Sequence, residues 1–187
     1  MAISHDTKVY GVEDCKIAVL LTDPAAGTAT YGTLIDVPGI KTVEITGTVD
    51  SKSLRGDNQL LDQNSTVTDI SVAISHAKLS LDVLEAITGG TTTDSGSGTD
   101  EVAEFELLGT DSLAYFKLEA ITPTGGADQV GGAVHFVLPK LMIDSFPSVG
   151  HAEEDYRIVS FSAKASPRIS DSQWILTRIL ETKQNIS

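Results

Sequence analysis

Apolar and polar residues alternate along short runs of the chain, and clusters of glycine, proline, aspartate and serine separate these runs. A period of two is typical of a strand that buries one face, and the intervals are too short for repeated helical crossovers. The pattern therefore predicts an all-β fold. Strands are expected at residues 16–21, 41–50, 66–78, 101–108, 113–121, 132–138, 155–165 and 174–182. The last of these runs would also suit a short helix, although a strand is favoured.

Two of these runs carry the longest alternating pattern. Residues 41–50 and 66–78 each place apolar side chains on one face and acidic or hydroxyl side chains on the other. The apolar faces hold Val43, Ile45, Val49, Ile70, Val72 and Ile74. We expect the two runs to pair as a long antiparallel hairpin, joined by a connection through residues 54–64.

The period changes immediately after this hairpin. Residues 79–88 place Leu81, Leu84 and Ile87 on one face of a helix, which predicts one short α-helix in an otherwise β chain. Gly89 follows it and can end the helix in the left-handed conformation.

A chain of 187 residues corresponds to about one domain. Residues 1–187 are therefore expected to fold as a single unit. Residues 23–31 and 91–100 are rich in small and polar residues, which predicts two flexible loops. Both termini are candidates for extended segments that become ordered on assembly.

Acidic residues outnumber basic ones, with 26 Asp and Glu against 13 Lys and Arg, and the formal net charge is −13. A chain of this sign repels phosphate, which disfavours a protein that reads nucleic acid. The single cysteine, Cys15, cannot form an internal disulfide. The first residues lack the apolar segment of a signal peptide, so we expect synthesis in the cytoplasm and no membrane binding by the chain alone.

Candidate catalytic chemistry is sparse. The histidines His5, His76, His135 and His151 are scattered without partners at metal-ligand spacing, so no metal site is predicted. No serine stands in the strained strand-to-helix turn that a hydrolytic nucleophile needs, and no glycine pair opens a helix as a phosphate cradle does. We therefore expect a non-enzymatic protein without a cofactor.

Three runs in the first half of the chain follow a recognisable order: LIDVPGIKTVEITG (residues 34–47), LRGDNQLLD (54–62) and HAKLSLDVLEAITGG (76–90). In the second half, YRIVSFSAKASP (156–167) and a strand beginning at Trp174 complete the order. This succession of Pro-Gly loop, long hairpin, helix, Gly/Ser loop and closing strands resembles the major tail tube proteins of long-tailed, siphovirus-type bacteriophages. The resemblance covers most of the chain.

The resemblance implies a β-sandwich subunit that assembles into hexameric rings. The inner sheets would join into a β-barrel, and the rings would stack into a hollow tail tube in the virion that conducts double-stranded DNA into the host. The DNA would be a transient, non-specific cargo. The implied protein partners are further copies of the chain, the tape measure protein, and the tail tip and terminator proteins.

Acidic side chains on the polar face of the hairpin suit such a conduit. Each lysine or arginine that neutralised a phosphate would add counterion-driven binding, which the moving DNA would have to break. An excess of acid is also typical of an ordinary soluble surface. The candidate lumen-lining residues are Glu44, Asp50, Asp57, Asp62 and Asp69. The candidate inter-subunit or inter-ring contact comprises Thr91, Thr92, Thr93, Asp94, Ser95 and Gly96.

The sequence is also compatible with two alternative functions. The inner tube protein of a contractile injection or secretion apparatus would share the architecture and carry protein cargo. A β-sandwich capsid decoration or adhesion module could instead use the Arg-Gly-Asp tripeptide at residues 55–57. The module would be a discrete monomer or trimer, whereas a tube protein forms hollow filaments.

Overall fold

The computed structural model describes residues 5–125, 131–150 and 158–186. Within these ranges it contains one α-helix, α1 (Leu81–Thr88), a short 3₁₀ turn (Gly98–Asp100) and thirteen β-strands. The strands of the first half are β1 (Lys8–Val9), β2 (Asp14–Thr22), β3 (Thr30–Tyr31), β4 (Ile35–Asp36), β5 (Ile40–Gly56) and β6 (Gln59–His76). Those of the second half are β7 (Thr91–Ser95), β8 (Val102–Glu106), β9 (Phe116–Gly125), β10 (Ala133–Ile143), β11 (Ser148–Val149), β12 (Val159–Ala165) and β13 (Leu176–Leu180).

The predicted all-β fold with one short helix is confirmed. Every run predicted as a strand contains an observed strand, and the final run is a strand and not a helix. The run at 113–121 begins late, because residues 113–115 are irregular. The run at 155–165 is observed from Val159, and its first three residues lie outside the described ranges.

Eleven strands form one antiparallel sheet in the order β3-β2-β9-β10-β12-β6-β5. The remaining strands of this sheet pair at its margins: β1 with β9, β4 with β2, β11 with β12 and β13 with β10. Strands β7 and β8 form a separate two-stranded sheet. The described strand order is open, with β3 at one edge and β5 at the other, so β5 has an outer edge without a partner strand.

One face of the large sheet encloses the main core. The central strands β9 and β10 contribute Phe116, Leu118 and Leu138, all of which are fully buried. Ile17 of β2 and Ile74 of β6 reach the same cluster, although their strands lie on opposite sides of the centre of the sheet. The sheet therefore curls so that its two halves cover one core, as the halves of a β-sandwich do.

Helix α1 has clear signals at both ends. Ser80 caps its N-terminus by accepting a hydrogen bond from the backbone N–H of Val83 at 3.4 Å. Gly89 ends it with φ of 76°, as the sequence predicted, and a Cβ at this position would collide with the carbonyl oxygen of Ser112. Glycine is therefore required here both by its conformation and by its close contact.

The three apolar residues whose spacing predicted α1 are not equally buried. Val83, Ala86 and Ile87 are buried, whereas Leu81 and Leu84 are only partly buried. Leu81, Leu84 and Ile87 form one apolar stripe of this short helix, and Val83, Ala86 and Ile87 form a second one that overlaps it. The stripe with the small Ala86 faces the sheet, because a small side chain lets the helix approach more closely.

Strands β5 and β6 pair over almost their full length, with three irregularities of register. Asp57 and Asn58 close the hairpin with positive φ values of 50° and 61°, as a two-residue type I′ turn requires. The prediction of a connection through residues 54–64 is therefore wrong. Alternation fades in this segment because both faces of the hairpin are exposed there, so no buried face imposes a pattern.

The predicted loop at 23–31 is tied to the body at both ends. Lys140 donates a hydrogen bond of 2.8 Å to Asp23, and the backbone N–H of Ile169 donates to the same carboxylate at 3.1 Å. The Lys140 contact holds the pKa of Asp23 below its usual value. The last two residues of the segment, Thr30–Tyr31, form β3 and not a loop.

The C-terminal residues fold back onto the sheet. Ile186 is buried in a small second cluster, and His135 Nε2 lies 2.9 Å from the carbonyl oxygen of Gln184. The C-terminal residues up to 186 are therefore not an extended segment, contrary to the expectation for this terminus. Residues 1–4 and 187 lie outside the described ranges.

His76, at the end of β6, is the most buried of the described histidines, with 1% of its surface exposed. Its Nδ1 lies 2.6 Å from the carbonyl oxygen of Lys78 and donates to it, and its ring meets Phe161 edge to face. Its Nε2 has no hydrogen-bond partner among the described residues. Burial lowers the pKa of His76, although the hydrogen bond to Lys78 opposes this shift.

We predict that the free energy of unfolding falls as the pH drops below about 6.5, the usual pKa of histidine in an unfolded chain. The unfolded chain binds a proton there that the folded state refuses, so this stability is present above that pH and is lost as the pH falls through the lowered folded pKa. In His76→Asn the amide can replace the Nδ1 donor without titrating, so the slope between about pH 7.5 and 5.5 becomes smaller.

Urea unfolding monitored by circular dichroism measures this slope at each pH. The matched control is His5→Asn, which removes an exposed histidine and should leave the slope unchanged. Equal slopes in His76→Asn and the parent chain would contradict the prediction, whatever the difference in absolute stability.

Candidate functional site

The outward surface of β5, β6 and β12 carries polar side chains at every alternate position except Ala73, and we call it the polar face. Its residues are Thr42, Glu44, Thr46, Thr48, Asp69, Ser71, Ala73, Ser75, Ser160, Ser162 and Lys164. Their neighbours along the strands, including Val72, Ile74 and Phe161, point into the core. Strand alternation therefore separates an acidic, hydroxyl-rich surface from the buried side of the same sheet.

Hydroxyl groups on the polar face bind one another across the strands. Thr42 Oγ1 lies 2.6 Å from Ser75 Oγ, and Thr46 Oγ1 lies 2.9 Å from Ser71 Oγ. The first pair continues into the next strands, where Ser160, the register partner of Ser75, is 2.9 Å from Ser148. These hydroxyl groups therefore use hydrogen-bonding capacity on one another. The charge of the face comes mainly from its carboxylates.

The carboxylates of the polar face differ in the groups that contact their negative charge. Glu44 is exposed and stands opposite Ala73. Asp69 is 3.2 Å from the ammonium of Lys164, an exposed pair that is screened by solvent. Asp144, which sequence reasoning missed, accepts a hydrogen bond from Ser162.

Four of the five predicted acidic residues share this side of the hairpin. By strand alternation Asp50 follows Glu44 on the same face, Asp69 pairs with Thr48, and Asp62 pairs with Leu54. From Glu44 to the level of Asp62 the row extends about 33 Å, at about 3.3 Å per residue. The fifth residue, Asp57, lies in the terminal turn and belongs to neither face.

The hairpin continues well past the body of the protein. We call residues 48–68 the arm. All of them are exposed except Gly56, which is half-buried. The arm carries five exposed large apolar residues: Val49, Leu54, Leu60, Leu61 and Val67. Val49 and Val67 face each other directly on the continuation of the core side of the hairpin. The apolar stripe of the core thus runs out along the arm, where the described chain has no layer to cover it.

The arm is also unpaired along its outer edges. Strand β12 pairs with β6 only from Ser71 to His76, so the described chain supplies no third strand to the arm. Open strand edges are templates for pairing with another chain. A two-stranded ribbon is by itself only marginally stable in water, and packing against further structure stabilises it.

The predicted loop at 91–100 is partly wrong. Its first residues, Thr91–Ser95, form β7 and pair with β8, and Gly96 turns the chain with φ of 83°. The Ser, Thr and Gly composition concealed the strand because few of these side chains are buried. The structure therefore places Thr91, Thr92, Thr93, Asp94 and Ser95 on a strand and Gly96 in the turn that follows. Their role in an inter-subunit or inter-ring contact stays a prediction.

Sequence reasoning also missed a cleft of about 430 Å³ beside β9, β10 and β13. Its cationic lining residues are Lys117, Arg168 and Arg178. These residues are far apart along the chain, so spacing alone offered no signal. Only the curl of the sheet and the loop before β13 bring them together.

The described residues contain no group of three or more histidine, cysteine, aspartate or glutamate side chains that could hold a metal ion. Cys15 is fully buried, which raises the pKa of its thiol and makes it a poor nucleophile.

None of the helices in the described ranges has the length and apolar character needed to cross a membrane.

No protein-family model matches the chain, and no curated protein matches it.

We predict that the arm contributes little to the stability of the isolated chain. Replacing residues 51–65 by Asn-Gly joins the register partners Asp50 and Thr66 through a two-residue turn. The free energy of unfolding should change by about 1 kcal/mol or less, because no buried side chain is removed. Urea unfolding of dilute protein measures the change.

A matched control is Ile74→Ala in the full-length hairpin, which removes a buried side chain from β6. This change should cost about 2 to 5 kcal/mol. A shortened arm that destabilised the chain as much as this core substitution would mean that the arm belongs to the folding unit.

Proposed function

We propose that this protein is a structural, non-enzymatic virion component, the major tail tube subunit of a long-tailed bacteriophage. In this proposal copies of the chain form hexameric rings, and the rings stack into a hollow tube that conducts DNA into the host. The inner sheets of neighbouring copies join into a continuous β-barrel. The tape measure protein and the tail tip and terminator proteins are the further partners that the resemblance implies.

The observation that carries the proposal is the arm. A monomer gains nothing from exposing Val49 and Val67 on a ribbon with open edges, because such a surface promotes uncontrolled association. A neighbouring copy in a closed ring would cover these side chains and pair the outer edge of β5. Ring closure turns an aggregation risk into a specific contact.

The polar face supports the second part of the proposal, a bore that does not retain DNA. Its charged groups include Glu44 and, along the arm, Asp50, and its hydroxyls are engaged with one another. Lys164 of this face is paired with Asp69, and Lys52, which follows Asp50 on the same side of the arm, has no salt-bridge partner among the described residues. The carboxylates Glu44, Asp50 and Asp62 outnumber this one unpaired cation. Duplex DNA would therefore meet a surface with few free cations to bind its phosphates.

Electron microscopy of the purified chain at high concentration tests assembly. The proposal predicts uniform hollow filaments from the parent chain and none from the chain in which Asn-Gly replaces residues 51–65. Since that replacement is expected to leave the monomer folded, its effect reports on assembly and not on folding. Filaments of normal diameter from the shortened chain would contradict the role given to the arm, and a parent chain that stays monomeric would contradict the proposed function.

A charge change tests the bore. Glu44→Lys combined with Asp50→Lys should make assembled protein retain short duplex DNA, with binding that weakens steeply as salt rises, whereas the parent protein should not retain it. The control, Asp36→Lys with Glu181→Lys, alters net charge equally at exposed positions outside the polar face. Equal DNA retention by both double variants would mean that overall charge, and not the polar face, governs the interaction.

One observation favours a second candidate, an adhesion or capsid decoration module. The tripeptide Arg55-Gly56-Asp57 lies at the exposed end of the arm, where a receptor could reach it. This candidate predicts a discrete monomer or trimer under the conditions of the microscopy experiment. It also predicts that Asp57→Asn abolishes receptor binding without any effect on self-association.

A further inference from the structure

The cleft beside β9, β10 and β13 concentrates positive charge in an acidic protein. Lys117, Arg168 and Arg178 line it together with one carboxylate, Glu119, so the lining charges sum to +2 (three cations less one anion), and to +1 when Asp171, the ion-pair partner of Arg168, is included. The chain as a whole carries −13. Two of the cations are largely shielded from solvent, since the side chains of Lys117 and Arg168 are 15% and 18% exposed.

The surrounding residues hold these cations in place. Asp171 binds the guanidinium of Arg168 through Nε at 3.0 Å and through Nη2, and it raises the pKa of Arg168. Gln173 accepts a further bond from Arg168 Nη2 at 3.0 Å. Lys117 lies 5.4 Å above the ring of Tyr31. Arg168 also interacts with the hydroxyl group of Tyr31, which contributes to its raised pKa.

Arg178 and Lys117 complete the donors of the cleft. Arg178 is exposed and has no carboxylate partner within salt-bridge distance among the described residues. Lys117 is 3.5 Å from Glu119, whose other oxygen is 3.0 Å from His135 Nδ1. Lys117 and Arg168 are thus each paired with a carboxylate, and Arg178 is the cation of the cleft that has none among the described residues. The floor between these groups is apolar and is formed by Val137, Pro139 and Leu176.

A complementary surface exists on the same chain, in the hairpin of β7 and β8. Residues 91–106 contain five carboxylates and no lysine or arginine. The five are Asp94, Asp100, Glu101, Glu104 and Glu106, all exposed. Glu104 and Glu106 pair with Thr93 and Thr91, so their side chains share one face of the hairpin.

The opposite face of this hairpin is already occupied. Phe105 lies so close to Gly90 that a Cβ on the glycine would collide with its ring, and the backbone N–H of Thr92 donates to Glu85 of α1 at 2.9 Å. The face with Glu104 and Glu106 is thus left for another contact. Two strands on their own are marginally stable, so a second partner would order the hairpin further.

We propose that the carboxylate-bearing face of β7 and β8 docks in the cationic cleft of a second copy of the chain. This contact rests on the proposed function and deepens it, because it names a pair of surfaces through which copies join head to tail. The two surfaces are different from each other, so each copy offers one of each and the contact can propagate. Charge complementarity selects the partner and increases the rate of association.

Two opposite charge reversals test the contact. Arg178→Glu blocks the cleft and leaves the hairpin intact, whereas Glu104→Lys blocks the hairpin and leaves the cleft intact. Each variant alone should lose self-association roughly tenfold or more, because like charges then face each other. A mixture of the two should associate again, because the unchanged hairpin of one variant fits the unchanged cleft of the other.

Sedimentation velocity at low and high salt measures the association, and the parent contact should weaken as salt rises. The matched controls are Lys8→Glu and Glu181→Lys, which make equal charge changes at exposed positions outside both surfaces. These controls should associate like the parent chain. Thermal unfolding of all four variants verifies that they fold.

The outcomes separate this contact from the proposed function. Restored association in the mixture supports the contact. If the restored complexes are discrete and the parent chain forms no tube, the contact stands and the proposed tube is overturned. Hollow filaments that survive both reversals overturn the contact and leave the tube standing. A parent chain that never associates overturns both. If Arg178→Glu changes only the binding of short duplex DNA, the cleft is a phosphate site and the docking proposal is wrong.

Discussion

The structure depends on a single constraint, the strict separation of the two faces of a sheet by strand alternation. On one face of β5 and β6, Val43, Ile45, Val72 and Ile74 join the core. The same stripe continues past the core as Val49 and Val67, where no layer of the described chain covers it. Alternation in β5 runs unbroken from Val43 to Val49, and the register shift between Asp69 and Val67 in β6 brings Val67 opposite Val49, so the apolar side of the body continues into the arm. The proposed self-assembly would cover this exposed stripe.

Charge is distributed by the same separation. Carboxylates collect on the polar face and on the hairpin of β7 and β8, while many cations are held in ion pairs elsewhere. Lys140 binds Asp23 and Lys183 binds Glu13, and each of these pairs joins segments that are far apart in the chain, whereas Arg168 binds Asp171 within one loop. Cations used in this way stabilise the connections and are withdrawn from the polar face. The polar face thus carries more carboxylates than cations, while one cleft of the same chain brings together Lys117, Arg168 and Arg178.

The sequence predicted the hairpin better at its base than at its end. Near the core, burial imposes the alternation that reveals a strand, as in the run from Val43 to Ile45. From Leu54 to Leu61 both faces are exposed, so periodicity does not reveal a strand there and predicts a connection where the Asp57-Asn58 turn lies. The same reason explains β7, whose Thr and Ser side chains are mostly exposed. Strands without a buried face are the ones that periodicity cannot detect.

The sequence by itself determined the all-β class, the single helix with its Gly89 terminus and the side of the hairpin on which Glu44 lies. Each of these features follows from the spacing of residues that are close together in the sequence. Only the tertiary structure decided how far the arm extends past the core, which stripe of α1 is buried, and that Lys117, Arg168 and Arg178 share a cleft. Those features depend on contacts between residues far apart in the chain, and such contacts exist only after the sheet has curled around its core.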